Sequence, residues 1–149
     1  MPIRALLMDI DDTLFDFQTS SRNALSIAFR ALNLPFTPEM WAHYRELDAE
    51  FWQRFERGEI TKEALYVERF RVFFAEYGLE ADPAAFNTAY FCELGAQRNF
   101  MPHCEQALRQ LHAQYKIFIV TNGNTEIQKR RIAAQRFYKR SILVFGIYK

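Results

Sequence analysis

The sequence has no apolar run approaching the roughly 18–20 residues that span a bilayer. Nor does it carry an excess of either charge: 19 Lys plus Arg stand against 18 Asp plus Glu, a formal net charge of +1. Nothing in that balance calls for a nucleic acid polymer or an anionic membrane as partner. There are only two cysteines, Cys92 and Cys104, too few and too far apart for a metal cluster, and both are expected to be reduced and buried. The first residues hold one basic side chain and a short apolar stretch cut off by Asp9. A signal peptide needs a longer apolar segment and a small-residue cleavage site. No internal repeat and no low-complexity segment interrupts the chain. These absences describe a soluble cytoplasmic protein.

What is present is a chain of 149 residues, half of them apolar and 16% aromatic, with 15 Phe. That composition can bury a real core. Ile3 to Met8 is a short apolar run that meets a group of acids, which suits a buried strand with polar chemistry at its C-terminal end. From about Gln18 to Gln97 the pattern is helical. Ala24, Leu25, Ala28 and Leu32 share a face. Thr37-Pro38-Glu39 reads as a capped helix start, and Met40, Tyr44, Leu47, Phe51 and Phe55 then recur at steps of three and four before Gly58. Thr61 can cap a further helix whose stripe is Tyr66, Phe70, Phe73 and Tyr77, ending at Gly78. Asp82-Pro83 opens another, with Phe86, Tyr90 and Leu94 on one side. These stripes are the inner faces of a helical bundle.

After Pro102 helix and strand alternate. Glu105 to Ala113 is a helix, and Lys116 to Val120 a strand followed by Thr121-Asn122-Gly123. Thr125 to about Gln135 is a helix with a basic outer face of Lys129, Arg130 and Arg131, and Ser141 to Ile147 is another strand. The layout is an α/β fold: a Rossmann-like parallel sheet with an all-helical insertion after its first strand. The boundaries read as 1–16 and 100–149 for the sheet-bearing core and 17–99 for the helical cap.

Asp9, Asp11, Asp12 and Asp16 put four carboxylates into eight residues. Their repulsion at a strand end must be met by a cation, by backbone N–H groups or by both. Ligands of open parallel sheets bind beyond the carboxyl ends of the strands, where this cluster lies. In an extended segment Asp9 and Asp11 point the same way. One of two converging carboxylates can hold Mg²⁺ and attack phosphorus while the other moves a proton. Thr13 can fix the loop or donate to an oxygen. Thr121, Asn122 and Gly123 offer a hydroxyl, an amide and exposed backbone N–H groups to an anion. An ordinary capped turn would also account for either motif taken alone.

Asp9, Asp11 and Thr13 match the D-x-D-x-T motif, and Thr121-Asn122-Gly123 the strand-T/S-N-G motif, of the haloacid dehalogenase superfamily. The chain resembles a capped phosphohydrolase of that superfamily, and within it the pyrimidine 5′-nucleotidase-like subgroup. Phe51 to Thr61, and Arg69-Phe70 ahead of Glu76-Tyr77-Gly78, resemble the subgroup's cap. The resemblance runs from about residue 4 to about residue 136. It implies Asp9 as the nucleophile forming an aspartyl-phosphate and Asp11 as general acid and base. It implies Mg²⁺ held by the Asp9 carboxylate and the Asp11 carbonyl, and Thr13, Thr121, Asn122 and Gly123 around the phosphoryl group. It also implies Lys149, in Gly146-Ile147-Tyr148-Lys149, as the lysine of the third motif.

The expected activity is hydrolysis of nucleoside 5′-monophosphates or similar small phosphate esters. An acid at position 11 disfavours the alternative, a 2-haloacid dehalogenase, because a leaving halide needs no proton. The superfamily's fourth, acidic motif has no counterpart here. A second alternative is therefore a truncated, catalytically defective remnant acting as a fold fragment, oligomer or binding module. The strand that normally flanks the first is also missing, so Ala5 to Met8 is expected to be an exposed apolar edge, open to self-association.

Overall fold

The computed structural model describes residues 3–133 and 142–146. Along the chain come β1 (Ala5–Met8), α1 (Phe17–Ala31), α2 (Pro38–Glu56), α3 (Lys62–Tyr77), α4 (Pro83–Ala96), α5 (Cys104–His112), β2 (Lys116–Thr121), α6 (Thr125–Ala133) and β3 (Ile142–Gly146). The strands form a parallel sheet in the order β1-β2-β3, with Met8 opposite Ile119 and Thr121 opposite Gly146. The strand ends after Met8 and Thr121 are thereby neighbours, and both motifs leave the sheet on the same side. The α/β class and the parallel sheet read from the sequence are observed.

The described chain divides into two compact units, one of residues 24–93 and one of the residues on either side of them. In the first, local chemistry sets the helix ends. The Thr37 hydroxyl accepts from the Met40 N–H at 3.3 Å, and Pro38, which has no N–H to leave unpaired, occupies the first turn of α2. Thr61 does the same for Ala64 at 3.2 Å. Gly78 closes α3 with φ of 61°, a left-handed conformation that costs a residue without Cβ little. Inside, Phe86 meets the rings of Phe29, Phe70 and Phe74 at 4.8–5.0 Å. Edge-on pairs of this kind each add about 0.5–1.5 kcal/mol beyond the area they bury.

Three expectations are corrected here. The buried stripe of α3 is Leu65, Arg69, Phe70, Phe73 and Phe74, rotated from the one read off the aromatics, while Tyr77 is 38% exposed. Arg69 belongs to the inner face because Asp48 pairs with it and Asn87 accepts from it at 3.3 Å. Cys92 is exposed, because the inner face of α4 is taken by Phe86, Tyr90 and Leu94 and position 92 falls off it. Leu32 lies past the end of α1 and is 48% exposed.

In the sheet-bearing unit Ile117 and Ile119 pack with Ile10, Leu14, Phe15, Leu108 and Ile132. Met8 and Val144 pack against the same cluster, as their register beside Ile119 requires. The alternate positions face the other way. There Leu7 is 74% and Phe145 50% exposed, although parallel sheets are usually covered on both faces. Among the described residues β1 is an edge strand of the sheet, as expected for Ala5 to Met8, with Leu7 its most open residue and Ala5, Leu6 and Met8 half-buried. Among the described residues no helix is long and apolar enough to cross a membrane.

Candidate active site

The loop after β1 folds back on itself. Leu14 and Phe15 both donate to the Ile10 carbonyl at 2.9 Å, and the Phe15 ring stacks on Phe100 at 4.7 Å. This sorts the four acids into three kinds. Asp16 caps α1: its carboxylate accepts from the Thr19 N–H at 2.8 Å and the Thr19 hydroxyl at 2.7 Å. Those two bonds, the backbone one first, lower its pKa from the ordinary value. Asp12 has φ of 54°, tolerated by Asp better than by most residues, and accepts from the Phe17 N–H at 2.9 Å. Both are helix-start residues. The capped-turn alternative therefore holds for this half of the cluster.

Asp11 is different. Its Oδ1 accepts from Arg131 Nη1 at 2.5 Å and its Oδ2 from Gln128 Nε2 at 2.5 Å. Arg131 Nη1 also donates to Gln128 Oε1 at 3.0 Å, which closes a ring of three side chains. The Arg131 side chain is completely buried and lies over the Phe15 ring, 4.7 Å from its centre, whereas Asp11 keeps 27% of its side chain exposed. Burial pushes the Asp11 carboxyl above its ordinary pKa, Arg131 and Gln128 pull it back, and the Asp9 charge adds to the upward push. Arg131 Nε and Nη2 find no hydrogen-bond partner among the described residues, so Asp11 carries much of the burden of keeping this cation buried.

Asp9, the first residue past β1, is exposed, and its carboxylate takes part in none of these bonds. Thr13 is exposed as well. At the end of β2 Thr121 is buried, and its hydroxyl oxygen accepts from the Gly123 N–H at 3.0 Å. Asn122 is exposed and Gly123 half-buried. Asn124 caps α6, accepting from Glu126 and Ile127 at 3.1 and 3.2 Å. A Cβ on Gly123 would sit 2.9 Å from Gln128 Nε2, 3.3 Å from Thr121 Oγ1 and 3.6 Å from Asp11 Oδ2. The glycine leaves room for the Gln128 amide. Lys149 lies outside the described residues.

The structure therefore brings Asp11, Thr121 and Gly123 together, with Asp9 near enough to influence Asp11. Sequence reasoning missed Gln128 and Arg131. The basic outer face expected for α6 is corrected: Lys129 is exposed and pairs with Glu126 at 2.8 Å, but Arg131 turns inward to Asp11. The available signal was the spacing. Gln128 and Arg131 are three apart, so they share a helix face, and with Ile127 and Ile132 they make up the buried side of α6.

Among the described residues there is no group of three or more His, Cys, Asp or Glu that could hold a metal ion. The donor chemistry nevertheless suits Mg²⁺, which takes oxygen ligands, keeps several waters and needs only one or two carboxylates beside a substrate phosphate. Asp9 has a carboxylate free of the bonds above. The Asp11 carboxylate is committed to Gln128 and Arg131, which leaves its main-chain carbonyl as the donor on that residue.

Known proteins share the sequence family and the fold. A family model described as haloacid dehalogenase-like hydrolase matches residues 3–144. The HAD-hydrolase YfnB of Bacillus subtilis is 36% identical over 131 residues, which cover 87% of this chain and 55% of that protein. The pyrimidine 5′-nucleotidase PynA of Streptococcus pneumoniae is 28% identical, with 86% of this chain and 54% of the relative covered. The chain thus spans about half the length of the curated relatives it matches. A crystal structure of YfnB bound to magnesium superimposes with a TM-score of 0.88 at 32% identity, covering 97% of this chain and 64% of the other. The L-2-haloacid dehalogenase Rha0230 shares the fold, with a TM-score of 0.73 at 18% identity over 97% of this chain and 60% of its own. With both motifs at neighbouring strand ends and residues 3–144 of this chain matched by the family model, the chain belongs to the haloacid dehalogenase-like hydrolases.

Proposed function

We propose that this chain carries the catalytic half-site of a phosphomonoester hydrolase that uses Mg²⁺ and acts on nucleoside 5′-monophosphates or similar small phosphate esters. The observation that carries the reading is the division of the acids: Asp9 is exposed and uncommitted among the described residues while Asp11 is held beside it. The nucleotidase relatives support the substrate class. Asp9 and Asp11 are the catalytic residues of this proposal, with Lys149 as the lysine that pairs with nucleophile and phosphate.

In the first step a carboxylate oxygen of Asp9 forms a bond to phosphorus and the bond to the leaving oxygen breaks. That oxygen takes its proton from Asp11. In the second, water attacks the aspartyl-phosphate, gives its proton to Asp11 and releases inorganic phosphate, so both residues return to their starting state. The Asp9 carboxylate and the Asp11 carbonyl would hold Mg²⁺, which when bound neutralises charge on the phosphoryl oxygens. Thr121 would donate its hydroxyl proton to a phosphoryl oxygen while its lone pair keeps the Gly123 N–H. Thr13, Asn122 and Gly123 would complete the phosphoryl surroundings. The acid at position 11 again favours an oxygen leaving group over a halide. Cytoplasmic location belongs to the same reading, since nucleoside monophosphates are intracellular substrates.

The test is release of inorganic phosphate from a nucleoside 5′-monophosphate, with and without Mg²⁺, by the wild-type chain and by Asp9→Asn. Magnesium-dependent release that Asp9→Asn abolishes is the expected result. Release that survives Asp9→Asn removes Asp9 as nucleophile, and chloride release from a 2-haloacid would restore the dehalogenase reading. A wild-type chain that releases nothing would favour the catalytically defective reading. One further observation bears on partners. Leu7 and Ile3, 74% and 69% exposed beside the free edge of β1, favour self-association there, which sedimentation velocity would show as a concentration-dependent dimer.

A further inference from the structure

A carboxylate that must deliver a proton to one oxygen has to be held in one rotamer, and a lone Asp at the mouth of a loop is not. Asp11 is held from both sides: Arg131 Nη1 on Oδ1 and Gln128 Nε2 on Oδ2, each at 2.5 Å. The third side of the ring, Arg131 to Gln128 Oε1 at 3.0 Å, also settles which way the Gln128 amide faces. Only its NH₂ can donate to a carboxylate and only its oxygen can accept from a guanidinium. Gln128 and Arg131 are both buried and stand one turn apart on α6. The device is therefore rooted in a helix and not in the loop it steadies. Gly123 belongs to it as well, because any Cβ there would press on Gln128 Nε2.

We infer that Gln128 and Arg131 are positioning residues that fix the Asp11 carboxylate for proton transfer to the leaving group, with Gly123 keeping open the space that Gln128 occupies. Both act through Asp11. The inference rests on the reading of Asp11 as general acid and base. A misplaced catalytic group costs on the order of 100-fold in rate even at displacements near 1 Å.

The test uses the full chain and Gln128→Met, which keeps the packing volume and the Arg131–Asp11 pair but removes the bond to Oδ2. Two substrates are compared: a nucleoside 5′-monophosphate, whose alkoxide leaving group needs a proton, and 4-nitrophenyl phosphate, whose leaving group does not. The expected result is a single-turnover rate of leaving-group release lowered about 100-fold on the nucleotide, with half-saturation within about 2-fold, and about 3-fold or less on the aryl ester, the later attack of water being common to both. Equal losses on both substrates would mean general structural damage and would overturn the inference, as would no loss on either.

A wild-type chain that hydrolyses neither ester overturns the hydrolase reading alone, and the hold on Asp11 is then judged by nuclear magnetic resonance. The Gln128 side-chain amide signals should stand apart from those of exposed glutamines. They should move toward them in Asp11→Asn and, where that variant does not fold, in Arg131→Lys. Signals unmoved in every folded variant would overturn the inference.

Discussion

Among the described residues each of the two units buries one arginine against one aspartate, and the contrast between them separates structure from chemistry. In residues 24–93 Arg69 is 3% exposed and Asp48 13%; Asn87 adds an amide oxygen, and the rings of Tyr44, Tyr66, Phe70, Tyr90 and Phe91 surround the guanidinium. In the sheet-bearing unit Arg131 is fully buried, Gln128 adds an amide and Phe15 a ring, but Asp11 keeps 27% of its side chain open. The parts are alike: a cation, a carboxylate, an amide and aromatic faces. The second aspartate is the more open, 27% against 13%, and it stands at the strand ends where ligands of such sheets bind. An enclosed ion pair of this kind holds helices together; one with an open carboxylate has a reactive group on a rigid mount.

That contrast can be broken most sharply at Asp48. Asp48→Ala leaves Arg69 buried without its counter-charge, a loss of about 3–5 kcal/mol. Urea unfolding would read it, and any phosphatase activity of the variant that remains folded should be unchanged. Asp11→Ala strands Arg131 in the same way but at a more open site, so the stability loss is expected near the lower end, about 3 kcal/mol. Unlike Asp48→Ala, it should also abolish hydrolysis of a nucleoside monophosphate. Equal effects of the two variants on activity would erase the distinction.

A smaller effect is expected at Asp16, the cap of α1. Asp16→Ala should cost about 1 kcal/mol at neutral pH. The folded-state pKa of Asp16 lies below its ordinary value of 3.8. Its stabilisation is therefore fully present above that value and is lost as pH falls through the lower, folded one. The gap between wild type and variant should close in thermal melts below about pH 4. Smallest of all is Leu7→Lys. With 74% of Leu7 exposed, monomer stability should shift by less than about 0.5 kcal/mol. A dimer formed through β1 should dissociate, which sedimentation velocity would detect.

The helix ends were legible because capping is local. Thr37-Pro38, Thr61 and Gly78 act within a turn of themselves, and each does in the fold what its residue type predicts. The strands and the two motifs were legible for the same reason. What was hidden depends on contacts distant in sequence. Asp11 and Arg131 are 120 residues apart, and within α6 only its place on the face of Ile127, Gln128 and Ile132 sets Arg131 apart from Lys129 and Arg130. The aromatic stripe of α3 does not by itself mark its buried face, because Asp48 and Asn87 make an inner position acceptable for Arg69. The spacing singles out Asp9 and Asp11 as a pair, but the capping roles of Asp12 and Asp16 depend on where the backbone N–H groups of Phe17 and Thr19 fall.

The measurement that bears most directly on the account is the position of the covalent phosphoryl group. The chain is incubated with a nucleoside 5′-monophosphate and Mg²⁺, quenched in acid, digested and mapped by mass spectrometry. The account predicts the phosphoryl mass increment on Asp9, none on Asp11, Asp12 or Asp16, and none anywhere in Asp9→Asn. An increment on another residue, or turnover by Asp9→Asn, would contradict it.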